Sequence, residues 1–351
     1  MVELTGYRDV IGHQRVLDLL DRETAGPANA YLFVGAAGIG KAMVARRFAA
    51  ALLCPEGGGH GTDCRSCRRA VAGLHPDLTL VEPEGSRSLG VEQARTAIGQ
   101  AALAPVESVR KVFLFDDAGS MTDQAANALL KTLEEPTATT VFLLVTESED
   151  DLPATVASRC RTIHFGRVDE VELAAALSGS GVEPERALTV ARVAGGRPGM
   201  ALMLAHRPEV ADFRSLWLNI PIRVSARPGD AFRLSAEVLQ ALEPMLEARA
   251  GTEGSTKAEK ERAERDRRRV RQTLLTAGLE ILASWYADSA ALQLGGPVRN
   301  GDLPLAVFTN ITPAQAVLRA ERVLDAVTDL QANLRPQLVL TNLFAMLGEE
   351  S

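Results

Sequence analysis

At 351 residues the chain has room for two or three domains and a sizeable core, and its 46% apolar and 24% charged residues are those of a folded globular protein. A net charge of −7 and only 4% aromatic residues argue against a surface built for nucleic acid or for stacking on single-stranded bases, although a local basic patch stays open. The N-terminal residues lack the basic, apolar, small-residue progression of a secretion signal. No apolar run approaches membrane-spanning length, so a cytoplasmic protein is expected.

Asp9-Val10-Ile11-Gly12-His13-Gln14 leads into a helical pattern through Asp21, with Val16, Leu17, Leu19 and Leu20 on its apolar side. Tyr31–Val34 reads as a buried strand, Gly35 to Ala42 as a glycine-rich loop, and Met43–Leu53 as a helix. Pro55–Asp63 is a glycine-rich loop. Leu78–Val81 predicts a short strand, Val91–Leu103 a helix, and Lys111 to Asp117 a strand ending in two carboxylates. Asp123–Leu133 predicts a helix closed by Glu134-Glu135-Pro136; Val141–Thr146 is an apolar strand, Asp151–Ala157 is helical, and Arg161–Phe165 is a last short strand. Strands alternating with helices imply a parallel sheet covered on both faces, and the apolar runs at 31–34, 112–115 and 141–145 suit such a sheet.

After Phe165 the strand pattern stops. Val168–Leu177, Pro184–Val193 and Pro198–Ala205 predict three short helices, followed by helices over Phe213–Leu218 and Asp230–Ala248. Gly251 to Ser255 is a flexible break. Lys257–Arg271 is a run of mixed charge flowing into the apolar helix Leu274–Trp285, and Thr312–Asn333 and Pro336–Leu347 are the last helices. Arg267-Arg268-Arg269 invites a nucleic-acid reading. Interleaved acids, Glu261 four before Arg265 and Glu264 four before Arg268, favour a solvated helix face. The apolar positions Ala316, Leu318, Val323, Leu324, Val327, Leu330 and Leu334 recur at helical spacing, and only part of that surface is expected to be used inside the chain.

Three groups carry chemistry. Gly35, Gly38, Gly40 and Lys41, between a strand and a helix, match a phosphate-binding loop, in which backbone N–H groups and a helix N-terminus face phosphate oxygens and the lysine reaches the terminal phosphates. The last motif position is normally a Ser or Thr that ligates Mg²⁺; here it is Ala42, whose methyl cannot. Asp116 ends a strand about 75 residues later, where a carboxylate can hold Mg²⁺ through water. Asp117 stands where a longer glutamate often polarises the attacking water. With Thr146 at the end of the next strand, these residues form a nucleotide site weakened for hydrolysis, and its occupancy by ATP and Mg²⁺ is left open. The alternatives are a glycine-rich turn without ligand and a pair of solubilising carboxylates.

The second group is Cys54, Cys64 and Cys67. Cys64-x₂-Cys67 has a zinc-knuckle spacing, and Cys54 lies ten residues earlier. Tetrahedral zinc wants a fourth ligand; His60 inside the loop is preferred and His75 comes next, while glycines 57, 58, 59 and 61 would let the loop wrap the ion. Such a zinc would be structural, and three free thiols are the alternative. The third group is Ser158-Arg159-Cys160, which taken alone proves nothing.

Together these residues resemble the clamp-loader branch of the AAA+ ATPases, and within it the delta-prime family of bacterial DNA polymerase III subunits. The likeness rests on Asp9-Val10-Ile11-Gly12, Gly35 to Lys41, the cysteine module ending in Gly73-Leu74-His75-Pro76-Asp77, Asn127 to Pro136 and Ser158-Arg159-Cys160. It is dense to about residue 200 and thin beyond.

The resemblance implies an α/β then all-α chain: a sheet domain at 1–166 with an inserted zinc module at 54–75, a helical lid at 167–207, and a helical collar at 208–351. Its zinc module uses four cysteines, and the second falls here at Gly61, beside His60. In the stretch Gly195-Gly196-Arg197-Pro198-Gly199 the nucleotide-sensing arginine of the motor subunits has no counterpart. The implied function is a non-hydrolysing subunit that helps load the sliding clamp onto primed DNA. It would sit in a hetero-pentameric ring with motor and delta subunits and supply Arg159 in trans to a neighbour's ATP. By itself it would not be catalytic, although a subunit of the polymerase holoenzyme. The competing expectations are an active motor subunit of the same loader and a stand-alone nucleotide-binding regulator. Ala42, Asp117, the missing lid arginine and an end near residue 351 without a long tail favour the first.

Overall fold

Strands too apolar to face water on either side set the architecture of the first half. The computed structural model describes residues 5–7, 9–56, 64–83, 88–227, 229–247, 257–332 and 334–349. The chain forms two compact units, Met1–Ala176 with Gly196–Met200, and Leu177–Gly195 with Ala201–Ser351.

In the first unit the order is α1 (Gln14–Glu23), β1 (Ala30–Val34), α2 (Lys41–Leu53), α3 (Arg65–Val71), β2 (Leu78–Val81), α4 (Val91–Ala101), β3 (Lys111–Phe115), α5 (Asp123–Glu134), β4 (Thr140–Thr146), α6 (Ala154–Ala157) and β5 (Arg161–His164). The strands form one parallel sheet in the order β2-β3-β4-β1-β5. The three inner strands are buried along their whole length, whereas β2 and β5 at the edges are partly exposed. Alternation splits the core in two. Tyr31, Phe33, Val112, Leu114, Val141 and Val145 pack on one face with Val44 and Phe48 of α2 and Leu17 and Leu20 of α1. Leu32, Phe113, Phe115, Phe142 and Leu144 pack on the other with Ala94 and Ala97 of α4 and Ala125 and Leu129 of α5. This parallel sheet needs both covers because its inner strands are mainly apolar on both faces.

The start of β2 is tied to the loop before β3 by Asp77. Its carboxylate accepts the backbone N–H groups of Val106 (2.6 Å), Glu107 (2.8 Å) and Ser108 (2.8 Å). Burial opposes ionisation there, but these three donors outweigh it, and the Asp77 pKa lies below its ordinary value.

The remaining helices are α7 (Glu170–Gly179), α8 (Pro184–Ala194), α9 (Pro198–Leu204), α10 (Val210–Leu218), α11 (Ile220–Arg223), α12 (Asp230–Glu247), α13 (Lys257–Gln293), α14 (Pro313–Gln331) and α15 (Pro336–Glu349). The charge run and the apolar helix predicted from sequence are one helix, α13. Its C-terminal half buries Leu274, Leu275, Leu279, Leu282, Trp285 and Tyr286. An acid from another helix also engages this stretch: Arg267 (2.5 Å) and Arg271 (3.0 Å) both donate to Glu243 of α12. The Gly251–Ser255 break, Ala248 and Asn333 lie outside the described residues, and the expected Glu261–Arg265 pair falls within α13 at positions whose side chains are not described. A polar knot in which Arg214, Asp288 and Asn300 are buried and Asp302 is exposed joins α10 to the segment after α13. Arg214 donates to Asp302 at 2.6 and 3.0 Å and to Asn300 at 2.8 Å, while Asp288 accepts both the backbone and side-chain N–H groups of Asn300 at 2.8 Å. On α14, Ala316, Val323 and Leu330 point inward, whereas Leu318 and Leu324 stay exposed.

Two consequences can be measured. A Cβ on Gly278 of α13 would lie 1.9 Å from the Trp217 ring. Gly278→Ala should therefore destabilise by about 1–3 kcal/mol in a urea melt followed by tryptophan fluorescence, reversing the ~1 kcal/mol that helix propensity alone would add. Asp77→Ala should cost about 1–3 kcal/mol by orphaning three amides. Because the folded pKa of Asp77 is depressed, its contribution is complete above the unfolded value near ~4 and is lost as pH falls through the folded value. Acid melts of Asp77→Asn should lack that component.

Candidate functional site

The parallel register brings the C-terminal ends of β1, β3 and β4 to one rim of the sheet. Val34 pairs with Thr146 and Phe115 with Leu144, so the loop after β1, Asp116 after β3 and Thr146 stand side by side. The phosphate-loop geometry expected from the sequence is present. Gly35 needs its lack of a side chain, since a Cβ would meet the Phe165 carbonyl at 2.6 Å. Gly40 adopts φ 107° to turn the chain into α2.

The polar groups of this rim are engaged with one another. Lys41 is buried, and its ammonium donates to the carbonyls of Gly35 (2.5 Å) and Ala36 (2.9 Å) of its own loop. Arg46, one turn along α2 from Ala42, reaches Asp116 at 3.4 Å and Glu82 at 3.9 Å. The Thr146 hydroxyl donates to Asp151 at 2.6 Å. Asp117 is exposed, and its carbonyl accepts the Ser120 amide and hydroxyl. These residues do not fit Mg²⁺: Ala42 has no ligand atom, and the carboxylate of Asp116 already faces a guanidinium.

A contact not foreseen from the sequence lies across the loop. The Gly199 amide donates to the Gly38 carbonyl at 2.8 Å, and a Cβ on Gly199 would meet that oxygen at 2.9 Å. Arg197 is buried, with its Cβ 3.9 Å from where a Cβ on Gly38 would lie. The Gly195–Gly199 stretch thus brings an arginine close to the loop, two residues before the glycine that touches it. His13 adds a bond from its ring Nε2 to the Ile39 carbonyl at 3.0 Å.

The cysteines converge from three places. Cys54 ends α2, Cys64 caps α3, and Cys67 sits in the first turn of α3. Their sulfurs lie within 4.8 Å of one another, with Cys54 and Cys64 at 3.9 Å. That is close to the ~3.8 Å edge of a tetrahedron with 2.3 Å Zn–S bonds. The Cys67 amide donates to the Cys64 sulfur at 3.2 Å, and burial, with the neighbouring thiols, raises the Cys67 pKa. Three corners therefore fit zinc. His75 does not join them among the described residues; its Nδ1 accepts the Asp77 amide at 3.1 Å. His60 lies outside the described residues, as do glycines 57, 58, 59 and 61. Helix α3 escaped the sequence reading because only Cys67 and Ala70 of its seven residues are buried, too few for a periodic stripe.

Arg159 projects beyond the sheet, after α6. Its side chain is 34% exposed and donates to the Thr155 carbonyl at 2.6 Å and to Glu134. Burial pushes the Cys160 thiol up to about 12. Among the described residues no helix is long and apolar enough to cross a membrane.

Residues 13–169 match the family described as "DNA polymerase III, delta subunit". The chain is 34% identical over 208 residues to the DNA polymerase III subunit delta' of Bacillus subtilis, covering 58% of this chain and 62% of that one. It is 43% identical over 136 residues to the subunit of the same name from Pseudomonas aeruginosa, covering 38% and 42%. It is also 36% identical over 168 residues to the DNA polymerase III subunit tau of Escherichia coli, covering 46% and 26%. The matched stretch spans less than two thirds of each relative. The resemblance to delta-prime subunits carried by the sequence motifs is borne out over the sheet domain.

Zinc should be found at about one ion per chain by elemental analysis of protein purified without chelator. Cys64→Ser should abolish it and His60→Ala should weaken it. Acidification should release it as the thiolates protonate. Three freely titrating thiols in protein without metal would reject the site.

Proposed function

We propose that this chain is a non-hydrolysing delta-prime subunit of a DNA polymerase III clamp loader. In that role it assembles with motor and delta subunits in a five-membered ring, and through the ring acts on the sliding clamp and primed DNA during replication. In this reading 1–166 is the sheet domain, 167–207 the lid and 208–351 the collar. The site residues Gly35, Gly38, Gly40, Lys41, Ala42, Asp116, Asp117 and Thr146 are the remnant of an ATPase site. Zinc held by Cys54, Cys64, Cys67 and His60 braces the module, and Arg159 completes the ATP site of a neighbour.

The observation that carries this reading is the pairing of Arg46 with Asp116, next to a motif position that lacks a metal ligand. A carboxylate already facing a guanidinium is poorly placed to share a hydrated divalent ion. Arg159 has the opposite character. It is exposed, and a guanidinium offers paired donors and a fixed charge to phosphate oxygens gathering charge in the transition state. The exposed leucines 318 and 324 of α14 are consistent with assembly through the collar.

An active motor subunit is the second reading, favoured by the intact Gly35–Lys41 loop and by the similarity to a tau subunit. Turnover decides between them. The isolated chain should hydrolyse ATP far below the ~1 per second of a slow enzyme; turnover near that rate, lost in Lys41→Ala, would establish the motor reading. Arg159→Ala should enter the reassembled loader normally and lower its DNA-stimulated ATPase by at least about tenfold, arginines supplied across an interface being worth ~10³–10⁵ elsewhere. Arg159→Lys should rescue poorly, because the charge remains and the planar fork is lost.

A further inference from the structure

The guanidinium of Arg159 is held by two acceptors from different elements. One is the carbonyl of Thr155 in α6, 2.6 Å from Nη1. The other is the carboxylate of Glu134, which takes Nη2 and is the last residue of α5. Helix α5 places its C-terminus beside this short turn by packing its Leu129 against the same core that receives Val156 of α6.

Glu134 is an odd residue for that position. A carboxylate at a helix C-terminus opposes the helix dipole, where a lysine or arginine would be favoured. Nor does the fold depend on the pair. Its side chains are 34% and 49% exposed, and ion pairs so exposed contribute little to stability. What the contact does is geometric. An arginine has many rotamers, and two acceptors on its two terminal nitrogens select one of them. A guanidinium carries five N–H donors, so three remain for a further acceptor while Thr155 and Glu134 keep theirs.

We propose that Glu134 is a positioning residue for Arg159: it holds the guanidinium in the orientation in which its remaining N–H groups meet a neighbouring subunit's nucleotide. The proposal rests on the reading of Arg159 as an arginine acting in trans, and adds the residue that aims it. Ordering the side chain before assembly removes that entropy loss from the reaction step, where small misplacements are expensive. The carboxylate does not sequester the arginine, because a single exposed charge competes weakly with a polyphosphate.

The test uses the full chain in the reassembled loader with its cognate ATPase subunits, clamp and primed DNA. Glu134→Ala should lower kcat for ATP about tenfold with KM unchanged, Glu134→Asp should fall between it and the native chain, and Glu134→Ala should cost nothing further in an Arg159→Ala background. In the isolated chain, ¹⁵N NMR of the Arg159 guanidinium should show hindered rotation that Glu134→Ala releases. Native turnover with Glu134→Ala where Arg159→Ala is impaired would overturn the proposal and spare the trans reading. So would fully additive losses, or a guanidinium signal indifferent to Glu134. If Arg159→Ala itself leaves turnover unchanged at matched assembly, the trans reading fails, and with it any role for Glu134 in aiming that residue.

Discussion

Everything in the first unit depends on burying a parallel sheet on both faces. Strands β1, β3 and β4 are buried along their whole length, so each must have a helix above and another below, and each connection must cross from one end of the sheet to the other. The crossovers deliver all strand C-termini to one rim. That is why residues as far apart in sequence as Gly35, Asp116 and Thr146 become neighbours: β4 pairs with β1 on one side and with β3 on the other. The same geometry sends Arg159 outward, since it follows a short helix leading into the edge strand β5.

On this rim the chemistry of single side chains determines what the fold does. A phosphate loop works by leaving charge unmatched until a ligand arrives. Here the lysine returns to its own loop carbonyls, the aspartate meets an arginine, and the threonine hydroxyl is used by Asp151. A backbone bond from Gly199 reaches the same loop. Each contact is small, and together they engage several polar groups along the rim. The cysteine module is the reverse case. Its three sulfurs are gathered at the end of α2 and the start of α3, with geometry that matches a tetrahedral ion more closely than a hydrocarbon core would require.

The second unit relies on helix packing and buried polar groups. α13 supplies its long apolar surface, and Gly278 allows the Trp217 ring of α10 to lie directly against the helix backbone. Arg214, Asp302, Asn300 and Asp288 fix the segment after α13, and these bonds make the burial of Arg214 and Asp288 tolerable. On α14 the apolar residues divide between the inward Ala316, Val323 and Leu330 and the exposed Leu318 and Leu324. The buried positions follow one helical stripe, Ala316, Arg319, Val323, Ala326 and Leu330, and Leu318 and Leu324 fall outside it.

Local order was legible where a residue's immediate neighbours settle its conformation. The apolar runs marked β1, β3 and β4 within a residue of their ends, and Gly35 to Lys41 marked the strand–loop–helix turn. The spacing of Cys64 and Cys67, with Cys54 before them, pointed to one cluster. Helix α3 was hidden by its shortness and by the scarcity of buried residues along it. What the sequence could not carry is pairing across distance. The order of the strands, the reach of Arg46 to Asp116, the bond from Gly199 to Gly38 and the hold of Glu134 on Arg159 join residues far apart along the chain. Composition and periodicity report which face of an element is apolar, because burial is a property of each residue in its own helix or strand. Which charged group meets which depends on where separate elements come to rest, and only the packed core decides that.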